Sequence, residues 1–140
     1  MGTTFTPHDQ NRRLFRLATP LGENALIPTE VHGEEAVSDD FRYLVNAFSE
    51  THHDIAPDEI VGQPVTVTIV GEEGADRYLN GFVQSLETLG RTRAGQRSAY
   101  RFTLASALAF LEKRTNCRVF QRRTIPGVIG AILRPLTTQG

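Results

Sequence analysis

Lysine is almost missing from this chain. Lys113 stands alone among 15 basic residues, and the rest are arginine. Arginine makes better directed, planar contacts than lysine, so the bias favours interfaces and ordered surface pairs, although a GC-rich coding sequence produces the same bias. Cysteine is equally scarce. The single Cys117 excludes an internal disulfide framework and fits folding in a reducing compartment. With no histidine or second cysteine nearby in sequence, it reads as a buried or half-buried structural thiol and not as a nucleophile. Net charge is small: −1 at pH 7 gives no global drive toward nucleic acid or an anionic membrane. Long apolar runs are absent too. The largest clusters, Ala107–Leu111 and Val128–Leu133, fall far short of the ~20 residues that span a bilayer. The first nine residues hold neither a basic n-region nor an apolar h-region, so no signal peptide is legible. Export would have to use a route that does not read an N-terminal signal.

What is present suits one globular domain. A chain of 140 residues buries roughly 68% of its unfolded surface, and 39% hydrophobic with 22% charged residues is ordinary for such a fold. Residues 1–11 are polar and proline-interrupted, a disordered lead. From Arg12 short alternating runs separated by turn residues predict β structure. Leu14–Ala18 forms a first strand and Ala25–Gly33 a second, with Pro28 suited to an edge or bulge. Phe41–Ser49 forms a third that is apolar on both faces, with Phe41, Tyr43, Val45 and Ala47 on one and Leu44 and Phe48 on the other. Such a strand is covered on both faces, and in a small barrel the second cover is another domain or subunit. Ala56–Gly62 reads as one helical turn with early proline and acids and a glycine stop. Val65–Ile69 alternates strictly. Gly71–Gly74 turns into Tyr78–Leu89, in which Gly81 marks a bulge or tight bend. Arg91–Gln96 is a second hairpin tip, after which Tyr100, Phe102 and Leu104 alternate with more polar neighbours.

The period then changes. Leu104, Leu108 and Leu111 fit a short helix, Cys117–Gln121 a last strand, and Thr124 the cap of a final helix that tolerates Pro126 in its first turn and ends at Pro135. Ile125, Val128, Ile129, Ile132 and Leu133 line one face of that helix. Gly127, Gly130 and Ala131 leave part of the other surface bare. The expected fold class is mainly β with short helices: a small antiparallel β-barrel over residues 12–121 plus a C-terminal amphipathic helix. Residues 122–140 hold that helix and a tail, the start of an incomplete continuation.

The order of these segments resembles the N-terminal module of the VgrG spike proteins of type VI secretion and the related phage late-control tail-hub proteins. The match runs from about Phe15 to Leu133. It is carried by Val31-His-Gly33-Glu-Glu35-Ala36-Val-Ser38 before Phe41, by Ile60–Val67 with Gly62, and by Leu79–Val83 with Gly81. Tyr100-Arg-Phe102-Thr-Leu104, Arg118-Val119-Phe120-Gln121 and Thr124-Ile125-Pro126 complete it. Ala105, Ser106 and Ala107 depart from the proline and bulky aromatics that members usually carry there. The resemblance implies a structural, non-enzymatic component of a contractile injection machine that adapts the tube ring to the puncturing needle. It implies homotrimerisation in the full-length context, docking on a hexameric tube-ring protein, contacts with effector or baseplate proteins, and assembly in the bacterial cytoplasm before translocation. It implies no cofactor and no membrane insertion. Gly33, Glu35, Ser38, Phe41, Gly62, Gly81, Tyr100, Phe102, Arg118, Phe120, Gln121, Ile125 and Ile129 are the residues it marks, all in structural roles. Full-length spikes run several hundred residues, so this chain resembles the first part of the hub; a free-standing truncated adaptor or relic is the alternative.

Chemical constellations are sparse. His52-His53-Asp54 is the nearest thing to a metal cluster, yet adjacent strand histidines point to opposite faces, and an exposed loop accounts for them. Glu34-Glu35 and Asp39-Asp40 could supply an acid and a base, but turns are rich in acids anyway. Gly71-x-x-Gly74 lacks the lysine and following helix of a phosphate loop. Arg91, Arg93, Arg97 and Arg101 with Tyr100 fit an OB-like nucleic-acid binder. Against that stand the neutral overall charge and the acids Glu72, Glu73 and Asp76, expected on a neighbouring hairpin, so nucleic acid is not the expected partner.

Overall fold

The computed structural model describes residues 10, 13–49, 54–91, 97–113, 115 and 117–137, with backbone alone at 73 and 135–137. Six strands carry the fold: β1 (Phe15–Ala18), β2 (Ile27–Glu34), β3 (Arg42–Ser49), β4 (Pro64–Ile69), β5 (Arg77–Arg91) and β6 (Ser98–Ala105). They form one antiparallel sheet in the order β1-β4-β5-β6-β3-β2. The two edge strands, β1 and β2, lie beside each other, so the sheet curls into a nearly closed barrel and hides both of its edges.

Alternation in sequence becomes alternation in depth. In β6, Ser98, Tyr100, Phe102 and Leu104 point inward and are buried, while Ala99, Arg101 and Thr103 are partly exposed. In β3 the inward set is Tyr43, Val45, Ala47 and Ser49. Val65 and Val67 of β4 and Leu79 and Val83 of β5 complete the interior. Each large side chain fully buried this way contributes about 1.5–3 kcal/mol, so β6 anchors the barrel. Curvature comes from β5, whose register with β6 shifts between Val83 and Ser85 and again between Thr88 and Gly90. The proline expected at an edge or bulge sits at both: β2 is an edge strand, and its register with β3 shifts between Pro28 and Glu30.

Short helices close the gaps. The turn α1 (Pro57–Ile60) buries Ile60 and packs on β5. Gly62 follows at φ +83°, which lets its N–H reach the Val83 carbonyl at 2.7 Å. α2 (Ala107–Leu111) starts at Ser106, whose hydroxyl accepts from the N–H groups of Leu108 and Ala109. α3 (Ile125–Thr137) has its first turn capped by Thr124 Oγ1, which accepts from the Gly127 N–H at 3.4 Å.

Several expectations are corrected. Gly81 is no bulge; it stands in register opposite Val65, and a Cβ there would lie 2.7 Å from the Ala105 carbonyl oxygen. Close strand approach demands the glycine. Leu104 belongs to β6, and α2 buries Ala109 while Leu108 is exposed, because Ser106 caps the helix later than the leucine spacing implied. Cys117–Gln121 forms no strand. Every interior strand already has two neighbours and the two edges face each other, so no ladder is free to receive it. Cys117 is accordingly exposed. α3 continues through Pro135 to Thr137; a proline in the last turn forfeits one intrahelical bond without breaking the helix. Gln10, assigned to a disordered lead, is buried. Its side-chain amide donates to the Leu17 carbonyl at 3.0 Å and accepts from the Leu17 N–H at 2.7 Å, imitating a strand partner for β1. The remainder of that lead, His52-His53 and residues 92–96 of the second hairpin lie outside the described residues.

Candidate functional site

The motif around Gly33 folds into a polar contact that joins three residues across the barrel. Gly33 pairs with Tyr43 across β2 and β3, and the Tyr43 ring lies where any Cβ at position 33 would stand. That placement aims the Tyr43 hydroxyl past the end of β2, where it donates to Glu35 Oε1. The other carboxylate oxygen of Glu35 accepts from the Arg77 guanidinium at 2.5 Å. Phe41 tilts against the Tyr43 ring with centroids 5.4 Å apart. Arg77 opens β5, two strands inward from the other edge of the sheet, so Glu35 ties the end of β2 to the far side of the barrel seam. The Tyr43 hydroxyl, followed by Arg77, holds the Glu35 carboxyl below its ordinary range. Burial, with Glu35 adding to it, pushes the Tyr43 phenol up to about 12. A carboxyl held ionised is the wrong species for a general acid. Of this trio the sequence marked only Glu35. Nothing local in the sequence pointed to Tyr43 or Arg77 as its partners.

The other marked residues divide into two groups. Ser38 takes a left-handed φ of +65° at the exposed β2–β3 hairpin, beside Val37, which is 98% exposed. Tyr100 and Phe102 are core, and the Tyr100 hydroxyl accepts from the Ile55 N–H at 3.0 Å. Beyond the barrel the picture reverses: Arg118, Gln121, Ile125 and Ile129 are exposed and Phe120 is half-buried. Three isoleucines on the apolar face of α3, Ile125, Ile129 and Ile132, are 77%, 51% and 38% exposed. The second apolar face expected on β3 is real but thin: Leu44 is exposed, whereas Phe48 is covered by the guanidinium groups of Arg97 and Arg13 at 4.9 and 5.4 Å from its ring centroid.

Of the basic residues that suggested nucleic acid, Arg93 lies outside the described residues and the other three are occupied. Arg91 pairs with Asp54 at 2.6 Å, Arg101 hydrogen-bonds Asn46 and approaches Glu87, and Arg97 lies on Phe48. Tyr100 is fully buried and offers no stacking face. The neutralising acids are not those expected, since Glu72, Glu73 and Asp76 sit at the opposite end of the 15-residue β5. Glu34, Glu35, Asp39 and Asp40 line an open concavity of about 750 Å³ together with Glu112 and the apolar Phe41 and Leu44. Among the described residues no group of three or more His, Cys, Asp or Glu is placed to hold a metal ion, and no described helix is long and apolar enough to cross a membrane.

The described residues thus form a nearly closed barrel, tied across its seam by Glu35 and followed by a helix whose apolar face is exposed. The model of the phage tail baseplate hub (GPD) family matches residues 34–139, more than half of the chain, and the chain belongs to that family. It is a VgrG-like hub module. The type VI secretion system spike protein VgrG1b of Pseudomonas aeruginosa is 29% identical over 127 residues, which cover 91% of this chain and 17% of that protein. The type VI secretion system spike protein VgrG3 of Vibrio cholerae is 28% identical over 126 residues, covering 83% of this chain and 12% of its own length. The chain thus spans under a fifth of these relatives. Among solved structures, the E. coli c3393 protein, described as a component of the type VI secretion system with structural similarity to T4 bacteriophage tail proteins gp27 and gp5, superposes with a TM-score of 0.67. That similarity, at 23% identity, covers 85% of this chain and 31% of the other. It speaks for the fold: a mainly antiparallel, nearly closed barrel with few short helices.

Proposed function

We propose that this chain is a structural, non-enzymatic part of the spike hub of a type VI secretion machine, adapting the tube ring to the puncturing needle. The observation that carries this reading is one alignment with VgrG1b running through 91% of the chain. The match to the hub family model, over residues 34–139, takes in most of the barrel and the exposed helix alike. In this reading residues 12–121 are the barrel of the hub and residues 122–140 begin its continuation. The marked residues act structurally: Gly33, Glu35, Gly62 and Gly81 set strand approach and turns, Tyr100 and Phe102 fill the core, and Ser38 with Phe41 shapes the β2–β3 hairpin. Arg118, Phe120, Gln121, Ile125 and Ile129 lie on the part that meets neighbours. Self-association and docking on a hexameric tube ring follow, with assembly in the cytoplasm and export by the machine itself. Site-specific cross-linking in cells assembling the machine tests this. Adducts to tube protein and to a second copy are expected from exposed positions such as Leu44 and Ile129. Cross-links to neither, in cells that fire normally, would overturn the reading and leave a free-standing adaptor or relic.

A further inference from the structure

The sheet is continuous around the barrel except between β1 and β2. The two strands lie side by side, yet among the described residues no backbone hydrogen bond joins them. The register of β1 shows what this leaves open. The Leu14 carbonyl accepts from the Val70 N–H at 2.8 Å, and antiparallel strands alternate bonded with non-bonded pairs. Phe15 and Leu17, opposite Ile69 and Val67, therefore turn their main-chain groups away from β4 and toward the seam. At Leu17 both groups are taken by the buried Gln10 amide, at 3.0 and 2.7 Å. At Phe15 neither group has a main-chain partner across the seam among the described residues. A cavity of about 550 Å³ opens there instead, walled by Phe15, Val31, Ile69 and Leu79 and rimmed by Glu35 and Arg77.

We infer that this seam is a latch: β1 and β2 part before the rest of the barrel unfolds, and two side-chain clasps set how often. One clasp is Gln10 on the Leu17 main chain. The other is Glu35, which accepts from the Tyr43 hydroxyl and from Arg77 at 2.5 Å and so ties the end of β2 to β5. Unequal bonding is the physical reason. Parting β5 from β6 breaks a whole ladder. Parting β1 from β2 breaks packing and a few side-chain bonds, each of small net worth, and the Glu35–Arg77 pair is half exposed to solvent. Local opening takes the most weakly bonded unit first. It bares two strand edges, the groups to which another chain's strand adds, and the closed latch withholds them. The inference concerns the barrel alone and does not depend on the hub reading.

The test is amide hydrogen exchange, resolved residue by residue by NMR, on the 140-residue chain. In the wild type the Leu17 amide is expected to exchange about tenfold or more slowly than that of Phe15, although both face the seam. Amides of β6 are expected to be slower than any in β1. Gln10→Met removes one clasp at similar side-chain length and is expected to speed Leu17 by about tenfold. Arg77→Met cuts the other clasp at an exposed position. It is expected to speed Leu17, and with it Arg16 and Ala18, although Arg77 hydrogen-bonds none of them. Arg77→Lys, which keeps a cation beside Glu35, is expected to restore most of that protection. Exchange in β6 stays unchanged in every variant, which checks that the barrel is folded. If Gln10→Met does not fold, Arg77→Met alone decides. β1 amides that exchange as slowly as those of β6 overturn the latch, because the strand then opens only with the whole barrel. So does an Arg77→Met variant in which Leu17 exchanges at the wild-type rate, because the two clasps then do not hold one seam.

Discussion

β6 and α3 are both patterned to hide one apolar face, and only β6 does so. Tyr100, Phe102 and Leu104 disappear into the barrel, while Ile125, Ile129 and Ile132 stay in water. The strand has a neighbour on each side and an interior to face. The helix comes after a segment that finds no ladder to join. Patterning states that a face requires cover; only the arrangement of the other elements states whether that cover lies within the chain. Barrel and helix are therefore held by different things, the first by its own core and the second by whatever it meets.

The sharpest way to break the comparison is in β6. Phe102→Ala should cost about 3–5 kcal/mol, as emptying a buried aromatic site does, and urea denaturation followed by circular dichroism measures it. A loss below 1 kcal/mol would mean the barrel core is not where the stability lies. Next comes Gly81→Ala, expected to cost about 1–3 kcal/mol because the new methyl meets the backbone of Ala105; the same titration reads it.

The seam pin gives a smaller, pH-dependent effect. The Tyr43 phenol is raised in the folded state from 10.0 to about 12. Its contribution is complete below the unfolded value and is lost as pH climbs from about 10 through about 12. Glu35 is lowered from 4.5, so its contribution is present above that value and is lost as pH falls through the lower folded one. Tyr43→Phe should remove the alkaline loss and Glu35→Gln flatten the acid one, each seen as a change in the slope of melting temperature against pH. Unchanged slopes would show that the trio does not pin the seam. The smallest effect belongs to α3. Ile129→Ser should leave the stability of the monomeric barrel within about 0.5 kcal/mol of wild type at low concentration. A larger loss would erase the distinction between the two regions.

Strand positions, their inward residues and the edge placement of Pro28 were legible because a period of two needs only the sequence and a core to face. The hub resemblance was legible for a related reason: glycines and aromatics at fixed spacing mark places where strands approach closely. The pin was legible in one residue of three, since Arg77 lies 42 positions from Glu35 and meets it only across a seam. Leu104 misled because a leucine at helical spacing from Leu108 sits at the end of a strand, and Cys117–Gln121 because extended sequence does not guarantee a partner.

By itself the sequence determined that this is a β protein with an amphipathic helix after it, because side-chain periodicity is a local property of the backbone. Tertiary structure decided the rest. It brought β1 beside β2 to close the barrel and gave Gln10 the edge of β1 to cap. It set Glu35 between Tyr43 and Arg77, and it left α3 uncovered, because each of these depends on which surfaces meet across a long stretch of chain.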